Sequence, residues 1–131
     1  MIFVDASFLV SLITEEPYTF KRASELWEEN KYKDKLITYS IISEVINTLN
    51  VKLKVKVELI NYAYKFMQDN LLIADDYDYY GESVKIIKNF IPSRVPFFDC
   101  LYMAVMEDLE INEILSFDKH FDLNKKIKRV Y

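Results

Sequence analysis

Four short runs rich in β-branched and apolar residues, "MIFVD", "KLITY", "NLLIA" and "NEILSF", are separated by longer segments of helical period. This alternation constrains the fold more than any other feature of the chain. Parallel strands need crossovers long enough to hold a helix, so strands that alternate with helices argue for a parallel sheet with helices over both faces. In "YTFKRASELWEENKY" Phe20, Ala23, Leu26 and Trp27 share one face, and in "SIISEVINTLNVKL" Ile41, Ile42, Val45, Ile46 and Leu49 do the same. "ASFLVSLI" and "VELINYAYKFMQ" are helical, and "PFFDCLYMAVMEDL" is the most apolar helix. The segment "DDYDYYGESVKIIKNF" predicts a helix capped by Asp75 or Asp76 and ended at Pro92. "KIKRVY" reads as a short fifth strand at an edge. The expectation is an α/β/α sandwich: a mostly parallel four- to five-stranded sheet with helices on both faces. Its 131 residues fit one domain, 1–131, with a sizeable core.

The residue inventory narrows the chemistry. One cysteine, Cys100, excludes internal disulfides and paired-thiolate zinc clusters. His120 is the only histidine, so His-based metal sites and a Ser-His-Asp triad have little to draw on; it reads as a surface or packing residue. Gly81 is the only glycine, which leaves no phosphate-cradling glycine loop. A net charge of −4 is wrong for a protein that binds nucleic acid simply by covering it with Lys and Arg. No basic-then-apolar leader and no apolar run near the ~20 residues of a spanning helix is visible, so the expectation is a reduced, cytoplasmic protein away from the membrane.

Four carboxylates fall at the ends of elements. Asp5 closes the first strand, Asp118 follows the fourth in "EILSFD", Asp99 lies in the first turn of the most apolar helix, and Glu44 lies early in "SIISEVINTL". Each has an ordinary reading. Asp5 with Ser7 could be a helix cap, Asp99 is favoured by the helix dipole, Asp118 suits a turn, and Glu44 could be a solvated residue. In a parallel sheet, however, all four could gather beyond the carboxyl ends of the strands, where ligands of such sheets sit.

"VDASFLVSLI", "SIISEVINTL", "FFDCLYMAVMEDL" and "EILSFDKHFD" in this order resemble the motifs of the PIN domain family, in particular the VapC ribonuclease toxins, over essentially the whole chain. Ala6 stands where many relatives have Thr. Pro96 stands where a Ser or Thr often caps the third motif's helix, and it suits a first helical position. The resemblance implies a catalytic and metal-binding set of Asp5, Glu44, Asp99 and Asp118, with Ser7, Ser116 and Asp122 in support. Four converging carboxylates repel one another unless a cation sits among them, and oxygen ligands suit Mg²⁺ or Mn²⁺. The implied activity is metal-dependent hydrolysis of RNA phosphodiesters, leaving a 5′ phosphate and a 3′ hydroxyl.

The resemblance also implies partners: an RNA substrate, a small antitoxin whose tail packs in an apolar groove, and a homodimer. Trp27, Tyr18, Phe20, Tyr62, Tyr64 and Phe66 are candidates for such a groove. Phosphate contacts could come from Lys119, Lys125, Lys126, Lys128 and Arg129, from Lys52, Lys54 and Lys56, or from Arg94. The alternatives are a non-catalytic PIN-like module that binds RNA or protein, and an RNA-processing nuclease outside a toxin–antitoxin pair. A phosphotransfer enzyme on a similar sheet is disfavoured, because an aspartate-nucleophile phosphatase needs an Asp where Ser7 stands.

Overall fold

The computed structural model describes residues 1–131. β1 (Ile2–Val4) leads to α1 (Ala6–Thr14) and α2 (Phe20–Glu29), and β2 (Lys35–Thr38) leads to α3 (Tyr39–Asn47) and α4 (Val57–Asn70). β3 (Leu72–Ala74) precedes α5 (Tyr80–Ile87) and α6 (Phe97–Asp108); β4 (Glu113–Leu115) precedes a 3₁₀ segment (Lys119–Leu123) and β5 (Lys128–Val130). All five strands pair in parallel, in the order β3-β2-β1-β4-β5, in an α/β/α arrangement. Ile2, Phe3 and Val4 are wholly buried, as a strand covered on both faces requires.

This order creates a switch point. From β1 the chain steps outward to β2 and β3, then returns to the other flank of β1 as β4. The crossovers on either side diverge there, and a crevice opens beyond the carboxyl ends of β1 and β4. Asp5 follows β1 directly, and its backbone N–H donates to the carbonyl of Leu115 at the end of β4 (3.0 Å).

Three local features depart from the expectation. The 75–90 region is not one helix but α5 flanked by 3₁₀ turns at Tyr77–Tyr79 and Lys88–Phe90. Of the two expected caps, Asp75 Oδ1 accepts from the backbone N–H of Tyr77 (3.0 Å) at the start of the region, whereas the Asp76 side chain does not cap it. Its buried carboxylate instead accepts from the backbone N–H of Ser40 (3.2 Å) in the first turn of α3, whose own N-cap residue, Thr38, makes no side-chain capping bond. A helix start with a free amide needs such an acceptor, and here it comes from the next crossover. Second, α3 widens into a π-helical turn at Thr48–Lys52, a geometry that re-aims side chains. Third, Pro96 occupies the N-cap of α6, one place before its first helical residue, which puts Asp99 in the first turn with its acidic side chain at the favourable end of the helix dipole.

Candidate active site

Asp5, Ser7, Glu44, Asp99 and Asp118 line one cavity of about 480 Å³, together with Asn47, Thr48, Lys52 and Phe98. Each arrives by a different route: Asp5 from the end of β1, Glu44 from α3, Asp99 from α6 and Asp118 from the segment after β4. Lys52, delivered by the π-turn, is the basic residue of that lining.

Hydroxyls tie the ends of β1 and β4 together. Asp5 Oδ2 accepts from Ser7 Oγ (2.6 Å) and Ser116 Oγ (2.8 Å). Ser7 Oγ accepts from the backbone N–H of Phe117 (3.1 Å), and Ser116 Oγ from that of Asp118 (2.9 Å). One carboxylate oxygen is thereby fixed to the sheet by two donors, and the backbone that carries Asp118 is fixed to the same pair. Asp118 Oδ1 accepts from the backbone N–H of His120 (2.9 Å), closing a tight turn that folds the His120 ring back over the acids.

No such donor serves Asp99. Its Oδ2 is buried and forms no hydrogen bond. Burial pushes the Asp99 carboxyl up to about 8, and Asp118, Asp5 and Glu44 add to the shift. Glu44 is lifted to about 7, by burial first and by Asp5 next, while the Tyr102 hydroxyl and Lys52 oppose it. Asp5 is raised as well, burial outweighing the bonds from Ser7 and Ser116. Three neighbouring carboxyls that resist ionisation make a site short of positive charge. Oxygen donors in this state fit a hard divalent cation, which would discharge the repulsion.

The family-model comparison matches the PIN domain to residues 2–127. The chain belongs to the PIN domain family. Among solved structures, this PIN domain superposes on VapC20 of Mycobacterium tuberculosis, a Sarcin-Ricin loop cleaving toxin, with a TM-score of 0.82 and 19 % identity over 93 % of each chain. It superposes on VapBC2 from Rickettsia felis, bound to a DNA fragment from their promoter, with a TM-score of 0.69 and 17 % identity, covering 99 % of this chain and 98 % of that one. At these identities the likeness is one of fold. Curated relatives include the ribosomal protein uS12 methylthiotransferase RimO of Prochlorococcus marinus strain MIT 9301, 40 % identical over 50 residues, or 38 % of this chain and 11 % of that protein. The same enzyme of strain MIT 9215 is 32 % identical over 80 residues, 60 % of this chain and 18 % of that protein. The chain spans less than a fifth of the length of these relatives, and so short a stretch carries no activity across.

Several residues stand differently from their expected places. His120 is no mere surface residue of the PIN domain: its Nδ1 lies 3.2 Å from Asp99 Oδ2 and 3.0 Å from Asp118 Oδ1. The signal for this was the Asp-x-His spacing in "SFDKHF", since an Asp that caps its own tight turn draws residue i+2 back beside it. Tyr102, one turn beyond Asp99, is wholly buried against Phe3 with its hydroxyl beside Glu44, though not aligned for a hydrogen bond. Asp122 spends both oxygens on Arg129 (2.9 Å each) and lies outside the cavity lining. Arg129 is correspondingly buried at the sheet edge and unavailable to phosphate, while Lys126 pairs with Glu107 and Lys128 with Glu113. Of the basic residues named from the sequence, Lys52 is the one in the lining of the acidic cavity.

Proposed function

We propose that this PIN domain is a metal-dependent endoribonuclease, the toxin partner of a toxin–antitoxin pair. The observation that carries the reading is Asp99: a buried carboxylate oxygen without a protein donor, facing Asp5, Glu44 and Asp118 at the switch point of a parallel sheet. A buried polar oxygen left without a partner is costly in a structure that has no use for it. Asp5, Glu44, Asp99 and Asp118 would hold Mg²⁺ or Mn²⁺. A bound ion of this kind supplies an acidified water nucleophile and neutralises charge on the phosphate.

The protein's own groups do the rest. Ser7 and Ser116 keep Asp5 in one orientation, so no reorganisation is needed when substrate arrives. Glu44 and Asp99 release their protons when the site is charged, and Lys52 at the cavity wall meets an RNA phosphate. The chemistry asks for no covalent intermediate.

The antitoxin reading draws on the surface between α2 and α4. Trp27 packs on Phe66 (5.5 Å between centroids), Tyr62 extends the row (6.1 Å), and Tyr18, Tyr62 and Tyr64 are exposed. An apolar peptide tail fits such a strip.

The test is cleavage of an end-labelled RNA by purified protein, with Mn²⁺ or Mg²⁺ added back after chelation. Cutting that requires the ion and disappears in Asp5→Asn supports the reading. Cutting that survives chelation, or equal cutting by the variant, refutes it.

A further inference from the structure

The histidine beside the acids has two plain uses, counter-ion or ligand, and the geometry separates them. A counter-ion aligns its N–H with a carboxylate oxygen. Here His120 Nδ1 is buried, 3.2 Å from Asp99 Oδ2 and 3.0 Å from Asp118 Oδ1, and yet makes no hydrogen bond to either; Asp99 Oδ2 likewise has no partner. The atoms therefore share a space without pointing at one another. Donor atoms of Asp99, Asp118 and His120 all lie within 4.8 Å of each other. On an octahedron with bonds of about 2.1 Å, neighbouring donors stand about 3.0 Å apart, which is the spacing of this nitrogen from the two oxygens.

The ring is also held in place independently of any ion. The backbone N–H of His120 donates to Asp118 Oδ1 and that of Asp118 to Ser116 Oγ, so the turn that presents the imidazole is anchored by side-chain oxygens just past β4. The Asp99 side chain, 8 % exposed, is aimed into the same space from α6.

We propose that His120 Nδ1 is a metal ligand, completing one face of the site with Asp99 and Asp118, and that it makes this site select divalent transition ions over Mg²⁺. Imidazole nitrogen binds borderline transition ions readily and Mg²⁺ poorly, whereas carboxylates alone discriminate little. The inference rests on the metal-dependent reading above and sharpens it from a choice of two ions to a preference with a cause.

Mn²⁺ titrated into the full chain, read by electron spin echo spectroscopy, tests it without any RNA. The wild type is expected to show ¹⁴N coupling from a directly bound imidazole, and His120→Ala to lose it. In the same variant Mn²⁺ affinity, measured by calorimetry, should fall about tenfold while Mg²⁺ affinity changes by less than about twofold. The turn survives this substitution because it is built from backbone N–H groups; an unchanged melting temperature in chelator verifies that. Mn²⁺ bound with no nitrogen coupling, or a Mn²⁺ to Mg²⁺ preference that persists in His120→Ala, overturns the inference: His120 is then only a counter-ion. The nuclease reading survives that result, since it is judged by chelation and by Asp5→Asn. Wild type that binds no Mn²⁺ at all sinks both.

Discussion

The sheet has two charged ends, and they are built on opposite principles. Where the strands begin, Glu113 at the start of β4 sits between Lys33 (2.9 Å) and Lys128 (3.8 Å), and Lys35 at the start of β2 donates its ammonium to the carbonyls of Asn30 (2.7 Å) and Lys33 (3.2 Å). Its bond to Lys33 holds the Glu113 carboxyl below the usual range. Where the strands end, Asp5, Glu44, Asp99 and Asp118 face one cavity with Lys52 as their only basic neighbour in its lining, and burial pushes Asp5, Glu44 and Asp99 upward. One end satisfies its charges within the protein; the other leaves them for something that must come from outside. Structural ion pairs stabilise a fold, whereas a functional site keeps unmet charge at the expense of stability.

The strongest way to break this contrast is to neutralise the end that lacks cations. Asp99→Asn should lower RNA cleavage by more than about a hundredfold, because losing even a partner of a metal ligand costs 10- to 100-fold. In chelator, the same change should make the protein more stable at alkaline pH. A carboxyl whose folded value lies above its unfolded one binds more protons when folded, so its contribution is fully present below the unfolded value near 4 and is lost as pH rises through the folded value, about 7 for Glu44 and about 8 for Asp99. Melting temperatures of wild type and variant should therefore coincide only below about pH 4, separate progressively above it, and differ most in the variant's favour at pH 9. Saturating Mn²⁺ should erase the wild type's loss. Parallel melting curves across that range would mean that neither burial nor the neighbouring acids raise the Asp99 carboxyl.

A gentler test leaves every ligand in place. Ser116 is wholly buried, donates to Asp5 and accepts from the N–H of Asp118, so Ser116→Ala loosens two of the four carboxylates at once. Mn²⁺ affinity should drop about tenfold, within the range known for such supporting partners. Stability should fall by about 1 kcal/mol, since the Asp118 amide loses its acceptor. Calorimetric titration reads the first and denaturant unfolding the second; unchanged Mn²⁺ binding would show that Ser7 alone orients Asp5.

How much of this was legible beforehand follows from what each end depends on. Asp5 and Asp118 were visible because an apolar strand that stops on an acid announces where its carboxyl end lies, and parallel order brings those ends together. Glu44 and Asp99 taken singly read as a solvated residue and a dipole-favoured one, and only the resemblance of four motifs in order grouped them with Asp5 and Asp118. The Asp76 bond to α3 was hidden, because it joins residues 36 apart in sequence through tertiary packing, while its local context looked like a helix cap. His120 was hidden by a count: a single histidine offers no pattern, and only the turn closed by Asp118 turns it inward. The Arg129–Asp122 pair was misread for the same kind of reason, since a run of basic residues at an edge strand does not say which of them folds back.

The smallest expected effect comes from the satisfied end, and its sign is what gives it value. Glu113→Gln removes the partner of Lys33 and Lys128, with the Glu113 side chain 25 % exposed. A partly exposed pair is worth less than about 1 kcal/mol, so the melting temperature at pH 7 should fall by a few degrees at most and less in high salt. A carboxyl held below its usual value contributes above the unfolded pKa and loses that contribution as pH falls through the folded one. The difference between wild type and Glu113→Gln should thus be largest at neutral pH and vanish in acid, opposite in sign to that of Asp99→Asn, and RNA cleavage should not change. If neutralising Glu113 stabilised the protein as neutralising Asp99 is expected to, both ends of the sheet would be short of positive charge, and the acidic cavity would lose its distinction as the place where an ion belongs.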